Sequence, residues 1–79
     1  MRKAFNFYRS FYDTFNQIRR DDDRLKFITA ILEKQFENKD PEGLKDIALF
    51  AYESQRQVIE SQVQGYIDKT GDNLSLIHI

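Results

Sequence analysis

The chain has 79 residues, which allows one domain, and its formal net charge is −1. This near-neutral charge predicts no general affinity for nucleic acid or membranes. Hydrophobic residues make up 41% of the chain and charged residues 32%, a balance typical of a folded chain. The sequence contains no cysteine, so disulfides and thiolate metal sites are excluded.

Charge is unevenly distributed along the chain. Residues 1–20 contain five basic residues and one acidic residue, whereas residues 21–53 contain nine acidic and five basic residues. This asymmetry either orients a partner or reflects two solvated helix faces of opposite sign. Polar residues interrupt the apolar segment 5–15, so it is neither a signal peptide nor a membrane span. We therefore expect a cytoplasmic protein with no membrane partner.

The first helix is predicted over residues 7–18. Its buried stripe recurs at helical spacing: Tyr8, Phe11, Phe15 and Ile18. Additional aromatic side chains widen the apolar arc beyond what one stripe buries, which leaves a patch for a partner. We expect the helix to end at Arg19 and Arg20, where cations suit the negative end of the helix dipole.

The second helix is predicted over residues 22–37. One of Asp21, Asp22 and Asp23 is expected to cap it by accepting backbone N–H bonds. The predicted buried stripe has Phe27 at its flank and consists of Leu25, Ile28, Ile31, Leu32, Gln35 and Phe36. The helix is expected to stop by Asn38, ahead of the proline at position 41.

The third helix is predicted over residues 44–69, after a turn in which Asp40 caps and Pro41 opens the helix. Its predicted buried stripe is Leu44, Ile47, Ala48, Ala51, Gln55, Val58, Ile59, Gln62, Val63 and Tyr66. We expect this helix to project beyond the other two or to be kinked near Ser54. The predicted fold is thus an all-α, small three-helix bundle over residues 1–73, with a longer third helix.

Residues 74–79 are unrelated to the helical pattern. The peptide Leu-Ser-Leu-Ile-His-Ile is what CTG-TCT-CTT-ATA-CAC-ATC encodes, a string that resembles the mosaic-end adapter of transposases used in preparing DNA for sequencing. The alternative is a short apolar C-terminal strand or tail. The adapter interpretation removes His78 from functional arguments and predicts that the natural reading frame continues past Asn73.

The sequence predicts no catalytic, cofactor-binding or metal-binding residues, and hence neither an enzyme nor a small-molecule substrate. Carboxylates are the metal ligands that remain, and the run Asp21–Asp22–Asp23 lacks the spacing of a calcium loop. Ser10, Ser54 and Ser61 have no histidine to activate them once His78 is set aside. The three glycines are isolated, so no phosphate-binding loop is formed.

Two segments are candidate interaction surfaces. Basic and aromatic residues alternate near the N-terminus, where they either stack on single-stranded bases or form the helical core with its charged edge. The second half of the third helix carries apolar residues that either self-associate or fray. The predicted surface comprises Arg2, Lys3, Arg9, Tyr12, Arg19, Arg20, Val63 and Tyr66.

Several short phrases occur in the order Phe7-Tyr8-Arg9-Ser10-Phe11-Tyr12, Asp22-Asp23-Arg24-Leu25, Ala30-Ile31-Leu32, Asn38-Lys39-Asp40-Pro41 and Ala48-Leu49-Phe50. In this order they resemble the N-terminal helical region of a family of uncharacterised phage and prophage proteins. The resemblance covers residues 2–50. Beyond it, Gln55, Arg56 and Ile59 echo a family step without its proline, and the basic, glycine-rich stretch that follows in the family is missing.

This resemblance implies a helical module of a phage protein in the cytoplasm of a bacterial host, and it carries over no functional residues. We expect a non-catalytic protein-interaction or assembly module that binds a protein partner or itself. The alternative is a nucleic-acid-associated module of a phage replication protein, which uses the basic, aromatic first helix.

Overall fold

A computed structural model of the chain describes residues 1–72 and residue 74. These residues form three α-helices: α1 (Arg9–Gln17), α2 (Asp21–Glu37) and α3 (Asp46–Thr70). The prediction of an all-α three-helix bundle with a longer third helix is confirmed. Leu74 is the one residue of the predicted adapter-encoded tail that is described, and the rest of that tail lies outside the described residues.

The first turn of α2 contains Asp21, Asp22 and Asp23, and Arg20 occupies the N-cap position without a side-chain cap. The prediction that one of these aspartates caps the helix is therefore wrong, and their carboxylates instead complement the positive end of the helix dipole. At the other end, Asn38 adopts a left-handed conformation with φ 51°. Its backbone N–H donates to carbonyls of the last turn, as is common at helix C-termini.

Asp40 does not cap α3, contrary to the sequence prediction. Its Oδ1 accepts a hydrogen bond from Lys34 Nζ at 2.7 Å, and α3 begins later, at Asp46. The Lys34 ammonium holds the pKa of the Asp40 carboxyl below its ordinary value, first through this hydrogen bond and then through its charge. The position of Asp40 is thus set by its ion pair with Lys34, a buried lysine of the preceding helix, and not by the local capping pattern.

Residues 38–45, here called the return segment, bring the chain back along α2. Leu44, near the end of this segment, lines a cleft together with Leu25 and Ala30 of α2. Farther along α3, the Gln62 Oε1 accepts a hydrogen bond from Gln35 Nε2 near the C-terminal end of α2. Helices α2 and α3 therefore run in the same direction, with the return segment as the crossover between them.

The N-terminal segment, residues 1–8, and α1 run opposite to α3. Gln55 Nε2 donates to Thr14 Oγ1 at 3.3 Å, and Gln62 Nε2 donates to the Asn6 carbonyl at 2.9 Å. The Met1 ammonium pairs with Asp72 just beyond the end of α3. Helix α3 is continuous through Ser54, and the N-terminal segment lies beside its second half.

The core lies where the three helices meet. Its buried cluster consists of Phe11, Ile18, Phe27, Ala30, Ile31, Ala51, Tyr52 and Ile59. Removing these side chains from water is the main favourable term in folding, at about 25 cal/mol per Å² of apolar surface. Phe27, predicted at the flank of the α2 stripe, is fully buried, so α2 is rotated relative to the prediction.

A chain of polar side chains runs beside this core and joins the N-terminal segment to both long helices. Arg2 Nη1 donates to Gln35 Oε1 at 2.6 Å, and Gln35 Nε2 donates to Gln62 Oε1 at 2.7 Å. Gln62 Nε2 in turn donates to the Asn6 carbonyl, which links α3 back to the N-terminal segment. Gln35 is fully buried, so its amide depends on these two partners.

Replacing Gln35 with leucine should destabilise the fold, although leucine has a similar volume. The substitution leaves Arg2 and Gln62 facing an apolar side chain, and we expect a loss of about 2 kcal/mol in the free energy of unfolding. Urea denaturation followed by circular dichroism measures this change. Gln64→Ala, at an exposed glutamine of α3, is the control and should change stability by no more than about 0.5 kcal/mol. Equal losses in the two variants would contradict the structural role of Gln35.

Candidate interaction surface

Arg2 and Tyr66, two residues of the predicted surface, contact each other inside the chain's own structure. The Arg2 guanidinium lies 5.1 Å from the centroid of the Tyr66 ring and 5.7 Å from that of Phe5. Partial burial lowers the pKa of Arg2 from its ordinary value, and the nearby Tyr66 opposes this effect. Together with its hydrogen bond to Gln35, this packing means that Arg2 attaches the N-terminal segment to α2 and α3.

Val63 is 3% exposed, so in this structure it belongs to the chain's interior. Ile59, one turn earlier, is also buried, while Val58, Tyr66 and Ile67 are half-buried. The N-terminal segment lies beside this half of α3 through Arg2 and Asn6. The second half of α3 therefore presents less apolar surface than the sequence pattern suggested.

Arg9 and Tyr12 lie together on the exposed side of α1. The Arg9 guanidinium is 5.5 Å from the Tyr12 ring centroid, and its Nε is 3.2 Å from Asp13 Oδ1. Asp13 thus offsets the charge of Arg9, although exposed pairs of this kind contribute little to stability. One cation and one aromatic ring of the predicted surface are accessible here, with a carboxylate next to them.

The remaining basic residues of the predicted surface are exposed at separate places. Lys3 lies in the N-terminal segment, whereas Arg19 and Arg20 lie in the α1–α2 connection at the other end of α1. Arg20 Nη2 is 3.9 Å from Asp22 Oδ2. The structure therefore distributes the predicted cations over both ends of α1 rather than gathering them into one patch.

Aromatic residues at the start of α1 divide between core and surface. Phe11 is fully buried, while Phe7, Tyr8 and Tyr12 are exposed. The Phe7 and Tyr8 rings contact Phe11, with centroids 5.4 Å and 5.7 Å away. Two aromatic side chains thus flank one core phenylalanine and keep part of their surface in solvent.

Helix α2 has apolar residues outside and polar residues inside. Leu25 is 65% exposed and Leu32 is 39% exposed, although both were predicted to be buried. Lys34 and Gln35, in contrast, are buried. The prediction for Leu25 and Leu32 is wrong because the face of α2 that packs in the core carries Phe27, Ala30 and Ile31. The two leucines lie on the opposite side of the helix.

The first turns of α3 expose three more large apolar side chains, Ile47, Leu49 and Phe50. Ile47 is 55% exposed and Phe50 is 76% exposed, whereas the neighbouring Ala48 and Ala51 are buried. Ile47 was predicted to lie in the buried stripe, and that prediction is wrong. Three residues apart on a helix, Ile47 and Phe50 share one face.

Grooves lie on both sides of Leu25. The groove between α1 and α2 has a volume of about 360 Å³ and is lined by Phe15, Asp21, Arg24, Leu25 and Ile28. The cleft between α2 and the return segment has a volume of about 250 Å³ and includes Leu25, Lys26, Glu33 and Leu44. The Leu25 side chain thus protrudes between two concave surfaces.

A third cavity, of about 280 Å³, lies between the return segment and α3 and is lined in part by Asp40, Tyr52, Arg56 and Glu60. The Tyr52 hydroxyl is buried and has no hydrogen-bond partner among the described residues. Burial is the main cause that raises the pKa of Tyr52 to about 12, and the Glu60 charge adds to it. Arg56 donates to Glu60 and Glu53 and so belongs to an exposed ion-pair network.

The described residues contain no group of three or more acidic or histidine side chains arranged to hold a metal ion. Among the same residues, no helix has the length and apolar run needed to cross a bilayer. Comparison of the chain with protein-family models, with curated proteins and with solved structures finds no match.

Tyr52 should make stability fall at alkaline pH. Its pKa is about 12 in the folded chain and about 10 in an unfolded one, so its contribution is complete below pH 10 and is lost as pH rises towards 12. We expect a loss of about 2 kcal/mol from this group, measured by urea denaturation at increasing pH. Tyr52→Phe should show a smaller alkaline loss and, at neutral pH, unchanged or slightly higher stability, because it removes an unsatisfied hydroxyl. An unchanged alkaline loss in the variant would contradict this assignment.

Proposed function

We propose that this chain is a non-catalytic protein-interaction or assembly module of a phage or prophage protein. The observation that carries the proposal is the exposure of large apolar side chains on α2 and α3, although α2 buries the polar Lys34 and Gln35. Leu25 and Leu32 on α2, and Ile47 and Phe50 on α3, lie in solvent. Exposed apolar surface of this kind on a small domain is typical of a site for a protein partner.

The energetics favour a partner for these side chains. Burying one leucine, isoleucine or phenylalanine side chain contributes roughly 1.5–3 kcal/mol, and the fold of the single chain uses only part of this for the four residues. Helix α2 instead encloses Lys34, whose ammonium then needs Asp40 as a partner. A protein surface that covered Leu25 and Leu32 would gain the stabilisation that the single chain leaves unused.

Two parts of the proposal rest on the sequence. Its phage or prophage origin, with the bacterial cytoplasm as location, rests on the family resemblance over residues 2–50. Its non-catalytic character rests on the composition: the chain has no cysteine, and its one histidine, His78, falls in the predicted adapter-encoded tail. The serine hydroxyls consequently have no imidazole base to activate them.

Site-specific photo-crosslinking in living bacteria tests the interaction proposal. With benzoylphenylalanine at Leu25 or Phe50, we expect discrete crosslinked products after illumination, because these positions lie on the proposed contact surfaces. The matched control carries the same residue at Lys69, which is exposed in the last turn of α3. The proposal fails if neither apolar position gives a product, or if the control gives the same products.

A second candidate function is supported by the exposed aromatics of the N-terminal region. Phe7, Tyr8 and Tyr12 lie near Arg9, and Lys3 is close by in sequence. Aromatic faces with flanking cations are the elements that bind single-stranded nucleic acid. Two contacts weaken this candidate: Arg2 is bonded to Gln35, and Arg9 is paired with Asp13.

Fluorescence anisotropy with single-stranded DNA and RNA oligonucleotides separates the two candidates. We expect no binding at physiological salt, because the accessible cations are few and scattered. If nucleic acid is the partner, affinity must instead fall steeply with salt, and Tyr12→Ala must lose roughly 1–3 kcal/mol of binding free energy. Arg20→Ala, at the far end of α1, is the control. Salt-dependent binding that Tyr12→Ala weakens more than Arg20→Ala would establish the second candidate.

A further inference from the structure

We propose that the partner of α2 is α2 of a second copy of this chain, packed antiparallel about a two-fold axis. This proposal rests on the proposed function and names the partner of one of its surfaces. The contact would centre on Leu25, Ile28 and Leu32, here called the α2 ridge.

The α2 ridge has the spacing of a helix-packing face. Its residues are three and four positions apart, so they lie on one side of the helix over about 10 Å. Leu25 and Leu32 are exposed and Ile28 is half-buried. At its N-terminal end, the ridge is bordered by the groove against Phe15 on one side and by the cleft against Leu44 on the other.

The α2 ridge of a second copy can pack into the two grooves beside the first. Helices pack when the side-chain ridges of one enter the grooves of the other. In an antiparallel pair, Leu25 of each copy lies near Leu32 of the other, beside a groove. The same surface patch serves both copies, which is the arrangement that a two-fold axis requires.

The charges beside the ridge favour a second copy over an unrelated partner. Lys26 and Glu33 line the same cleft on one side of the ridge, one towards each end. Antiparallel pairing brings Lys26 of one copy within about one helical turn of Glu33 of the other, and the two-fold axis repeats this ion pair. Glu33 also lies 3.5 Å from Lys39 of its own copy, in an exposed ion pair that contributes little to stability, so its carboxylate stays accessible to Lys26 of the other copy.

The other exposed apolar patches are less suited to self-association through like surfaces. The N-terminal aromatics Phe7, Tyr8 and Tyr12 have Lys3 and Arg9 near them, so two copies placed face to face would bring cations together. Ile47 and Phe50 protrude from α3, and the cavity beside α3 is lined by Leu49 and the charged residues of the Arg56 network rather than by these two side chains. Convex side chains and apolar grooves are adjacent at the α2 ridge.

The contact is expected to be weak. Stable dimers bury about 800 Å² on each partner, and a contact between two short helical ridges lies below that range. We therefore expect a monomer–dimer equilibrium with a Kd on the order of 10 µM. The near-zero net charge of the chain, −1, leaves little long-range repulsion to oppose association.

Sedimentation equilibrium of the full chain over a concentration series tests the proposal. The double variant Leu25→Ser/Leu32→Ser should raise the Kd at least about tenfold, because it removes the apolar contact while sparing the buried core. Phe50→Ser is the matched control, since it also removes a large exposed apolar side chain, and it should leave the Kd unchanged. Circular dichroism confirms that each variant remains helical.

A charge exchange tests the antiparallel geometry. Lys26→Glu should weaken the dimer by roughly three- to tenfold, because it places a second carboxylate near Glu33 of the other copy in place of the ammonium. Lys26→Glu/Glu33→Lys restores opposite charges across the axis and should recover most of the affinity. A double variant no tighter than the single one would overturn the antiparallel pairing.

The remaining outcomes separate this inference from the proposed function. A chain that stays monomeric at about 500 µM, well above the expected Kd, would overturn the dimer. If Leu25 then crosslinks to a different protein, the interaction module stands and the second copy is rejected. Association that survives the Leu25/Leu32 variant and is lost in Phe50→Ser would likewise reject the α2 ridge while supporting the module. Absence of both self-association and crosslinks would reject the two proposals together.

Discussion

The buried amide of Gln35 is the constraint on which much of the architecture depends. It accepts from Arg2 and donates to Gln62, so it joins the N-terminal segment, α2 and α3 through two hydrogen bonds of 2.6 and 2.7 Å. Because a buried amide without partners costs about 1–3 kcal/mol, these two bonds hold the N-terminal segment and α3 against the C-terminal half of α2. The enclosed face of α2 also carries Phe27, Ala30 and Ile31, and Leu25 and Leu32 lie on the side away from it. The interior side of α2 is thus shared between apolar side chains and one buried amide, and two leucines are left for a partner.

The sequence predicted the helices well because their determinants are local. Apolar spacing and turn residues place three helices close to where they occur, and Phe11, Ile31, Ala51 and Ile59 are buried as predicted. The prediction was poorest for the faces of α2. Residues 25–36 contain apolar side chains on two sides of the helix, so periodicity alone does not select one. The choice is made by tertiary packing, because Phe27, Ala30 and Ile31 contact the core residues of α1 and α3. Gln35 contacts Arg2 and Gln62, which are 33 and 27 positions away in sequence.

Exposure at the candidate surface was likewise predicted correctly where it depends on nearby residues and wrongly where it depends on contacts distant in sequence. Charge and aromatic content identified Arg9 and Tyr12, which are exposed neighbours on α1. The same reasoning included Arg2, Tyr66 and Val63, whose side chains are used in packing the N-terminal segment against α3 or in the interior. It omitted Leu25 and Phe50, because an exposed large apolar side chain has the same sequence signature as a buried one. Asp40 is a comparable case, since its capping pattern with Pro41 is local but Lys34 decides its position.

The parallel direction of α2 and α3 has a consequence for how the molecule folds. Two helices joined by a tight turn meet through contacts close in sequence, which form early. Here the return segment must first be laid back along α2, and the Gln35–Gln62 contact spans 27 positions. The contact between Asn6 and Gln62 spans 56. We therefore expect the chain to fold more slowly than a bundle of the same size built from helical hairpins.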